Sequence, residues 1–192
     1  MGRPELESLL ADVRRVRIGI VGDFCLDAYW DLDPSLSEQS IETGLPTRAV
    51  RAQRCSLGGA GNVAANLVSI GVGAVQAFGV LGDDPFGGEM LRILVRLGVD
   101  AAGIQVQGAD WSTPVYVKPV ESGAEQNRID FGNANALDPV VGGRLLESLR
   151  AALPSLDLVI VNQQLSRGIH TESFRRDLAA LITEASRAAR PV

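Results

Sequence analysis

Two short stretches and two separate cations hold most of the chemical potential of this 192-residue chain. Gly58-Gly59-Ala60-Gly61-Asn62 joins glycines, which let backbone turn sharply or approach a ligand, to an amide that both donates and accepts hydrogen bonds. Gly22-Asp23-Phe24-Cys25-Leu26-Asp27 sets two carboxylates directly after an apolar run. A carboxylate there can accept from two neighbouring hydroxyls of a sugar. Lys118 and Arg128 fall in strand-like segments and suit a phosphorylated or acidic ligand.

Each of these has a plainer reading. Asp23 reads as a turn cap, and Asp27 serves equally as a helix cap or a hydroxyl acceptor. The glycine stretch fits a loop with Asn62 capping a helix as well as it fits a sugar-binding turn. Lys118 and Arg128 also fit solvated surface charge. Gly59 to Ala64 matches the dinucleotide pattern G-x-G-x-x-A, with Asp83 further on. That pattern belongs after a buried apolar strand, whereas Arg48, Arg51 and Arg54 precede it here. Asp84 reads as a helix cap. His170, the only histidine, reads as a cap or surface residue, and neither a Ser-His-Asp arrangement nor metal-ligand spacing is present.

The elements that must position these residues alternate between strand and helix. Val16–Val21 and Val75–Leu81 read as buried strands, and Leu156–Val161 as the clearest one. Asn62–Ile70, Gly88–Leu97, Leu145–Leu153 and Phe174–Ala189 carry helical spacing, with Gly98 and Pro154 as stops. Met1–Arg15 reads as a short amphipathic helix, not a signal peptide. The alternation predicts a parallel sheet with right-handed crossovers. Arginine-rich Arg48–Leu57, and a hairpin of Val115–Val120 with Gln126–Phe131 around Ser122-Gly123, predict a small accessory sheet projecting from the main one.

Composition narrows the class. Hydrophobic residues are 46% and charged residues 21%, as in a globular domain, and no apolar run reaches membrane-spanning length. The net charge of -5 does not suggest nucleic-acid binding. Cys25 and Cys55 lack metal spacing and read as free thiols in a reducing cytoplasm.

Taken in order, these motifs resemble the amino-terminal half of the ribokinase-like (PfkB) carbohydrate kinases, from about Arg17 to the chain end. The similarity is closer to the heptose-phosphate kinase branch. Gly22 to Trp30 resembles its G-D-x-x-L-D-x-Y-W opening, Gly58 to Ala64 its G-G-A-A-N-V-A, and Arg128-Ile129-Asp130-Phe131 its R-x-D-F. Ser37 to Pro46 departs from that branch's S-P-E-A-P-V-P-like run. Asn162 to Gly168 departs from its S-D-Y-x-K-G, lacking the acidic and lysine positions.

The resemblance implies an α/β fold, a three-layer parallel sheet flanked by helices with a small β lid, incomplete on its C-terminal side. The lid strands are expected around 32–57 and 113–131. It implies that Asp27, Gly58, Gly59 and Asn62 line a sugar pocket, with Lys118 and Arg128 in the lid strands, and that the lid mediates a homodimer. ATP with Mg2+ would be the phosphoryl donor in the complete enzyme. The catalytic base would belong to a G-A-G-D motif beyond Val192, leaving no catalytic residue in this chain, no tight binding of ATP or Mg2+ to it alone, and no activity by itself. The expected function is ATP-dependent phosphoryl transfer to a hydroxyl of a sugar or sugar phosphate, with this chain as the sugar-binding half. The alternatives are a non-catalytic sugar-binding or assembly module and, more remotely, a dinucleotide-binding domain. Arg190-Pro191-Val192 reads as the entry to a further strand, so an exposed sheet edge and oligomerisation are expected.

Overall fold

The computed structural model describes residues 2–188. Four strands, β1 (Arg17–Gly22), β4 (Ala74–Gly82), β5 (Asp100–Gln107) and β9 (Leu158–Asn162), form a wholly parallel sheet in the order β5-β4-β1-β9. β1 and β4 are central, and their alternate side chains enter two cores. Ile18, Ile20, Val75 and Ala77 face α2 (Ala60–Ser69) and α3 (Pro85–Arg96). Val21, Phe78 and Val80 face α4 (Pro139–Ala152) and α5 (Glu172–Ala188). Both faces are covered, which is why these strands read as continuous apolar runs. This is the three-layer α/β arrangement expected.

Local chemistry sets the helix starts. Asp84 caps α3, its Oδ1 accepting from the Gly87 N–H at 2.8 Å, with Pro85 at the first position. Asp138 caps α4 through the Val140 N–H at 2.7 Å, so that helix begins six residues before the expected Leu145. α1 (Arg3–Val13) is the short helix expected, with Leu6, Leu9 and Leu10 exposed. The parts of the expected elements at Met1, Ala189 and Arg190-Pro191-Val192 lie outside the described residues.

The second sheet differs from expectation in its extent. It starts at β2 (Phe24–Leu32), which pairs antiparallel with β3 (Val50–Gly59) and parallel with β6 (Val115–Glu121). Its root does not simply project. Phe24, Leu26, Ala28, Leu57, Val115 and Val117 are buried in the core shared with α2 and α3. The hairpin turns at Ser122 and Gly123, whose φ values of 51° and 81° suit a two-residue turn. Its return is broken into β7 (Ala124–Glu125) and β8 (Ile129–Phe131). Pro119 accepts from the Gln126 N–H at 2.8 Å but has no N–H to return, so the ladder lapses there.

β9 is not the buried strand expected of Leu156–Val161, and it forms the exposed sheet edge that was expected. It is the outer strand of the parallel sheet, with Leu158 and Val161 about half exposed. An apolar strand at an edge keeps the composition of a buried one, so composition alone cannot place it.

Candidate functional site

Residues in register across paired strands share a face. Cys25, Asp27 and Tyr29 on β2 stand opposite Gly58, Ser56 and Arg54 on β3. On the other side Asp27 and Tyr29 stand opposite Tyr116 and Lys118 on β6, and Tyr116 opposite Asp130 on β8. One face of the lid sheet is therefore polar, while its reverse carries the buried Leu26, Ala28, Val115 and Val117.

Asp27 lies in the middle of a strand and caps no helix. Its Oδ1 pairs with the Lys118 Nζ at 2.7 Å, both side chains being mostly buried. Lys118 also donates to the Tyr29 hydroxyl at 3.4 Å, and Arg54 lies 3.8 Å over the Tyr29 ring. The hydrogen bond to Asp27 is the main cause that raises the Lys118 pKa above its ordinary 10.5. Gly58 leaves the second oxygen of Asp27 open, since a Cβ there would sit 3.4 Å from Oδ2 and 2.9 Å from the Cys25 Sγ. Asp27, Gly58 and Lys118 are thus brought together: a carboxylate with one oxygen held by a cation and the other open beside bare backbone.

Gly59 is the cap residue of α2, at φ 53° and ψ -130°. A Cβ there would meet the Asp23 carbonyl oxygen at 2.3 Å, the same oxygen that accepts from the Ala60 N–H at 2.9 Å. Gly59→Ala is expected to cost roughly 1–3 kcal/mol from backbone strain alone, before the clash is added. An unchanged urea midpoint would contradict that assignment. Asn62 is not the cap. It lies in the first turn of α2, exposed, with no side-chain hydrogen bond among the described residues. No hydrogen bond ties it to Asp27 among the described residues. The turn follows an antiparallel lid strand, so the βαβ setting of a dinucleotide fingerprint is missing.

Asp23 is 2% exposed and does far more than cap a turn. Its Oδ2 accepts from the Gln164 and Leu165 N–H groups and its Oδ1 from the Ile169 N–H, each at 2.9 Å. It holds the whole loop after β9 against the end of β1. His170 follows that loop and is 8% exposed, its Nε2 2.8 Å from the Asn162 carbonyl oxygen. The helix cap there is Thr171, which accepts from the Phe174 N–H at 3.2 Å, so the cap-or-surface reading of His170 is corrected.

Arg128 is bidentate with Asp130, at 2.6 and 2.8 Å, and its guanidinium lies 4.2 Å over the Tyr116 ring. It reaches Asp27 only by way of Tyr116. These residues and the loop held by Asp23 line a polar cleft of about 300 Å³. Sequence reasoning missed Tyr29, Tyr116, Asp130 and that loop. The period-two pattern of Asp27 with Tyr29, and of Tyr116 with Lys118, against apolar neighbours is the signal that carries them.

Cys25 and Cys55 are free thiols, as expected. Burial, then the charges of Asp27 and Asp23, push the Cys25 thiol up to about 12 from an ordinary 9.0. Both Cys25 and Lys118 hold their protons more tightly folded than unfolded. Their contribution is complete below the unfolded values and is lost as pH rises through the folded ones. Stability is therefore expected to fall from pH 9 towards 12, with Cys25→Ala flattening the first part of the slope. Urea midpoints at pH 7, 9 and 11 test this, and a flat wild-type profile would contradict it.

Among the described residues no group of carboxylates, thiols or imidazoles can hold a metal ion, and no helix is long and apolar enough to cross a membrane.

The model of the pfkB family of carbohydrate kinases matches residues 26–190. A curated relative, the bifunctional protein HldE of Mesorhizobium japonicum, is 30% identical over 184 residues, covering 95% of this chain and 36% of the relative. The bifunctional protein HldE of Trichlorobacter lovleyi is 31% identical over 195 residues, covering 100% of this chain and 38% of the relative. Among solved structures, ribokinase from Giardia lamblia superposes with a TM-score of 0.57 at 21% identity, over 90% of this chain and 51% of that one. Phosphofructokinase-2 from Escherichia coli in complex with fructose-6-phosphate gives a TM-score of 0.56 at 16% identity, over 90% and 52%. The chain thus spans a little over a third of these curated relatives and about half of these solved structures.

Proposed function

The chain belongs to the pfkB family of carbohydrate kinases, and from that premise we propose that its polar lid face binds the acceptor sugar of a phosphoryl transfer. The observation that carries this reading is the Asp27 carboxylate, held on one oxygen by Lys118 and open on the other beside Gly58. Such a group accepts strongly from a pair of sugar hydroxyls. Lys118 is assigned to the same pocket, together with Gly59 and Asn62 at the start of α2. The reaction class is transfer from ATP to a hydroxyl of a sugar or sugar phosphate, and the similarity to the heptose-phosphate branch favours a phosphorylated heptose. Phosphoryl transfer rests on positioning and charge stabilisation, and these residues supply the positioning of the acceptor.

ATP with Mg2+ supplies the transferred group in this class of reaction. The reading proposed for this chain concerns the acceptor sugar, and the residues named above are assigned to it alone. The buried apolar root of the lid supports a rigid platform for it, and the exposed β3 edge suits a homodimer through the lid.

Thermal unfolding with sugars, sugar phosphates and NAD separates the readings. A sugar or sugar phosphate at a hundred times its Kd stabilises by about 2.7 kcal/mol without any nucleotide. Stabilisation by NAD alone would replace this reading with the dinucleotide one.

A further inference from the structure

The helix that precedes the first strand stands clear of its own chain. Every described side chain of α1 from Glu5 to Asp12 is exposed. Leu6, Leu9 and Leu10, with Val13, fall at i, i+3, i+4 and i+7 and form a single apolar stripe. An isolated helix of 11 residues is marginal in water. Its local supports are small: the Gly2 N–H donates to the Glu5 carboxylate at 2.8 Å, and Arg3 pairs with Glu7 at 2.9 Å. A stripe at this spacing is what a helix offers to an apolar groove. Helices that lie on anionic membranes carry basic polar faces, whereas α1 sets Glu5, Glu7 and Asp12 against Arg3 alone. The stripe therefore suits a protein surface.

The same chain carries a fitting groove. It is a cavity of about 440 Å³ between the end of α4 and the last turns of α5, lined by Leu153, Leu156, Leu181 and Ala185, with Arg150 and Glu184 paired at 3.1 Å on its rim. From Glu184 the depression continues along α5 over Ala180 and Thr183, small residues that let a second helix approach closely. Helix and groove both lie at the N-terminal end of the parallel sheet, away from the lid, whose first strand starts just past the other end of β1. α1 enters β1 through residues 14–16, and Leu156 fills the space beside Gly19 of β1. Yet α1 cannot reach its own groove. The Gly73 N–H donates to the Val13 carbonyl oxygen at 3.3 Å and the Ala74 N–H to the Val16 carbonyl oxygen at 3.2 Å, which pins α1 beside β4. The groove is on the β9 side of β1 and on the opposite face, since Val16 packs with the core under α2 and α3 and Leu156 with the core under α4 and α5.

We propose that α1 docks in this groove of a second copy of the chain, and that the second copy returns the contact about a two-fold axis at the N-terminal end of the sheet. A helix about 16 Å long in one groove falls short of the roughly 1,000 Å² that a specific interface needs, and the two-fold arrangement makes the contact twice. Glu5 and Asp12 form one flank of the stripe and Arg187 stands beside the groove. None of the three has an ion-pair partner among the described residues, so the two surfaces offer each other opposite charges. This interface is separate from the lid and stands whether or not the chain binds a sugar.

The test is sedimentation velocity of the full chain from about 1 to about 100 μM. The proteins are the wild type, Leu9→Glu in the stripe, Ala185→Lys in the groove, and Ala11→Glu, which adds the same charge on the opposite face of α1. The wild type and Ala11→Glu are expected to associate with the same Kd. Leu9→Glu and Ala185→Lys each weaken association by roughly a hundredfold, about tenfold for each of the two contacts. An equimolar mixture of Leu9→Glu with Ala185→Lys associates again, because one contact then joins an intact helix to an intact groove and the other pairs the new carboxylate with the new ammonium. Variants that had only lost their fold would not restore each other. A wild type that stays monomeric at about 100 μM overturns the proposal. So does association that is unchanged in Leu9→Glu or Ala185→Lys, which assigns it to the lid or another face, and so does its loss in Ala11→Glu. Two variants that dissociate alone and stay apart in the mixture overturn the pairing of helix with groove.

Discussion

Asp27→Asn is expected to weaken sugar binding by about a hundredfold while leaving the chain folded. The substitution keeps the shape of the side chain but removes its charge, so both acceptor bonds to sugar hydroxyls lose their charge assistance. Hydrogen bonds to a charged group are worth about 1.5–3 kcal/mol each, and a loss of about 2.7 kcal/mol corresponds to a hundredfold in Kd. The effect on folding is small by comparison. The Lys118 partner is 19% exposed on its side chain and retains the Tyr29 hydroxyl, so it is not stranded in a dry interior. Calorimetric titration with the best-binding sugar phosphate, beside a urea unfolding curve for the same variant, separates the two quantities. Wild-type affinity in a folded Asp27→Asn protein would remove Asp27 from the site. Lost affinity accompanied by an equal loss of stability would show that it acts only through the fold.

Asp23→Ala is expected to act in the opposite sense, with a large structural effect spread along the loop after β9. Three backbone N–H groups lose their acceptor at once, in a place that is 2% exposed. Buried donors left without a partner cost about 1–3 kcal/mol each, and partial relaxation of the loop into solvent brings the total to about 4 kcal/mol. For a chain of this size that corresponds to roughly 8–16 °C in Tm. Asp23→Asn does not rescue it, because the amide turns one acceptor into a donor that faces an N–H group. Hydrogen exchange at residues 164–169 is expected to rise more than exchange in the β1–β4 centre of the sheet. A variant that melts within a degree of the wild type, with those amides still protected, would contradict the assignment. The same loop forms one wall of the polar cleft beside the lid, so Asp23→Ala is also expected to loosen that wall.

Much of the scaffold was legible from local chemistry. β1 and β4 announce themselves as uninterrupted apolar runs because both faces of a central parallel strand are covered. α3 is readable from Asp84, Pro85 and the spacing of Met90, Leu94 and Leu97. β2 and β5 were not. Asp27, Tyr29 and Asp31 interrupt β2 on the face that is not buried, and Gly103, Gln105 and Gln107 dilute β5 at the sheet edge. β9 erred in the other direction, since apolar composition does not say whether a strand is central or terminal.

The candidate site divides in the same way. Type and spacing marked Gly58 and Gly59 as a place where backbone turns sharply and left Asp27 even between a helix cap and a hydroxyl acceptor, and only the family resemblance joined the three in one pocket. The two-residue turn at Ser122-Gly123 was legible from local sequence. The contacts of Asp23 and Lys118 were not. The Asp23 donors lie 141, 142 and 146 residues away, so no local rule turns a turn-capping aspartate into the anchor of a distant loop. Lys118 meets Asp27 only because β6 pairs in parallel with β2 in one register, and a shift of one residue would send it to the apolar face. The sequence by itself determined the periodicities, caps and glycine turns, which depend on neighbours a few residues away. Only the tertiary structure decided which charges meet, which polar groups lose water, and which loop faces the lid, because those depend on strand order and register, to which no short stretch of chain is sensitive.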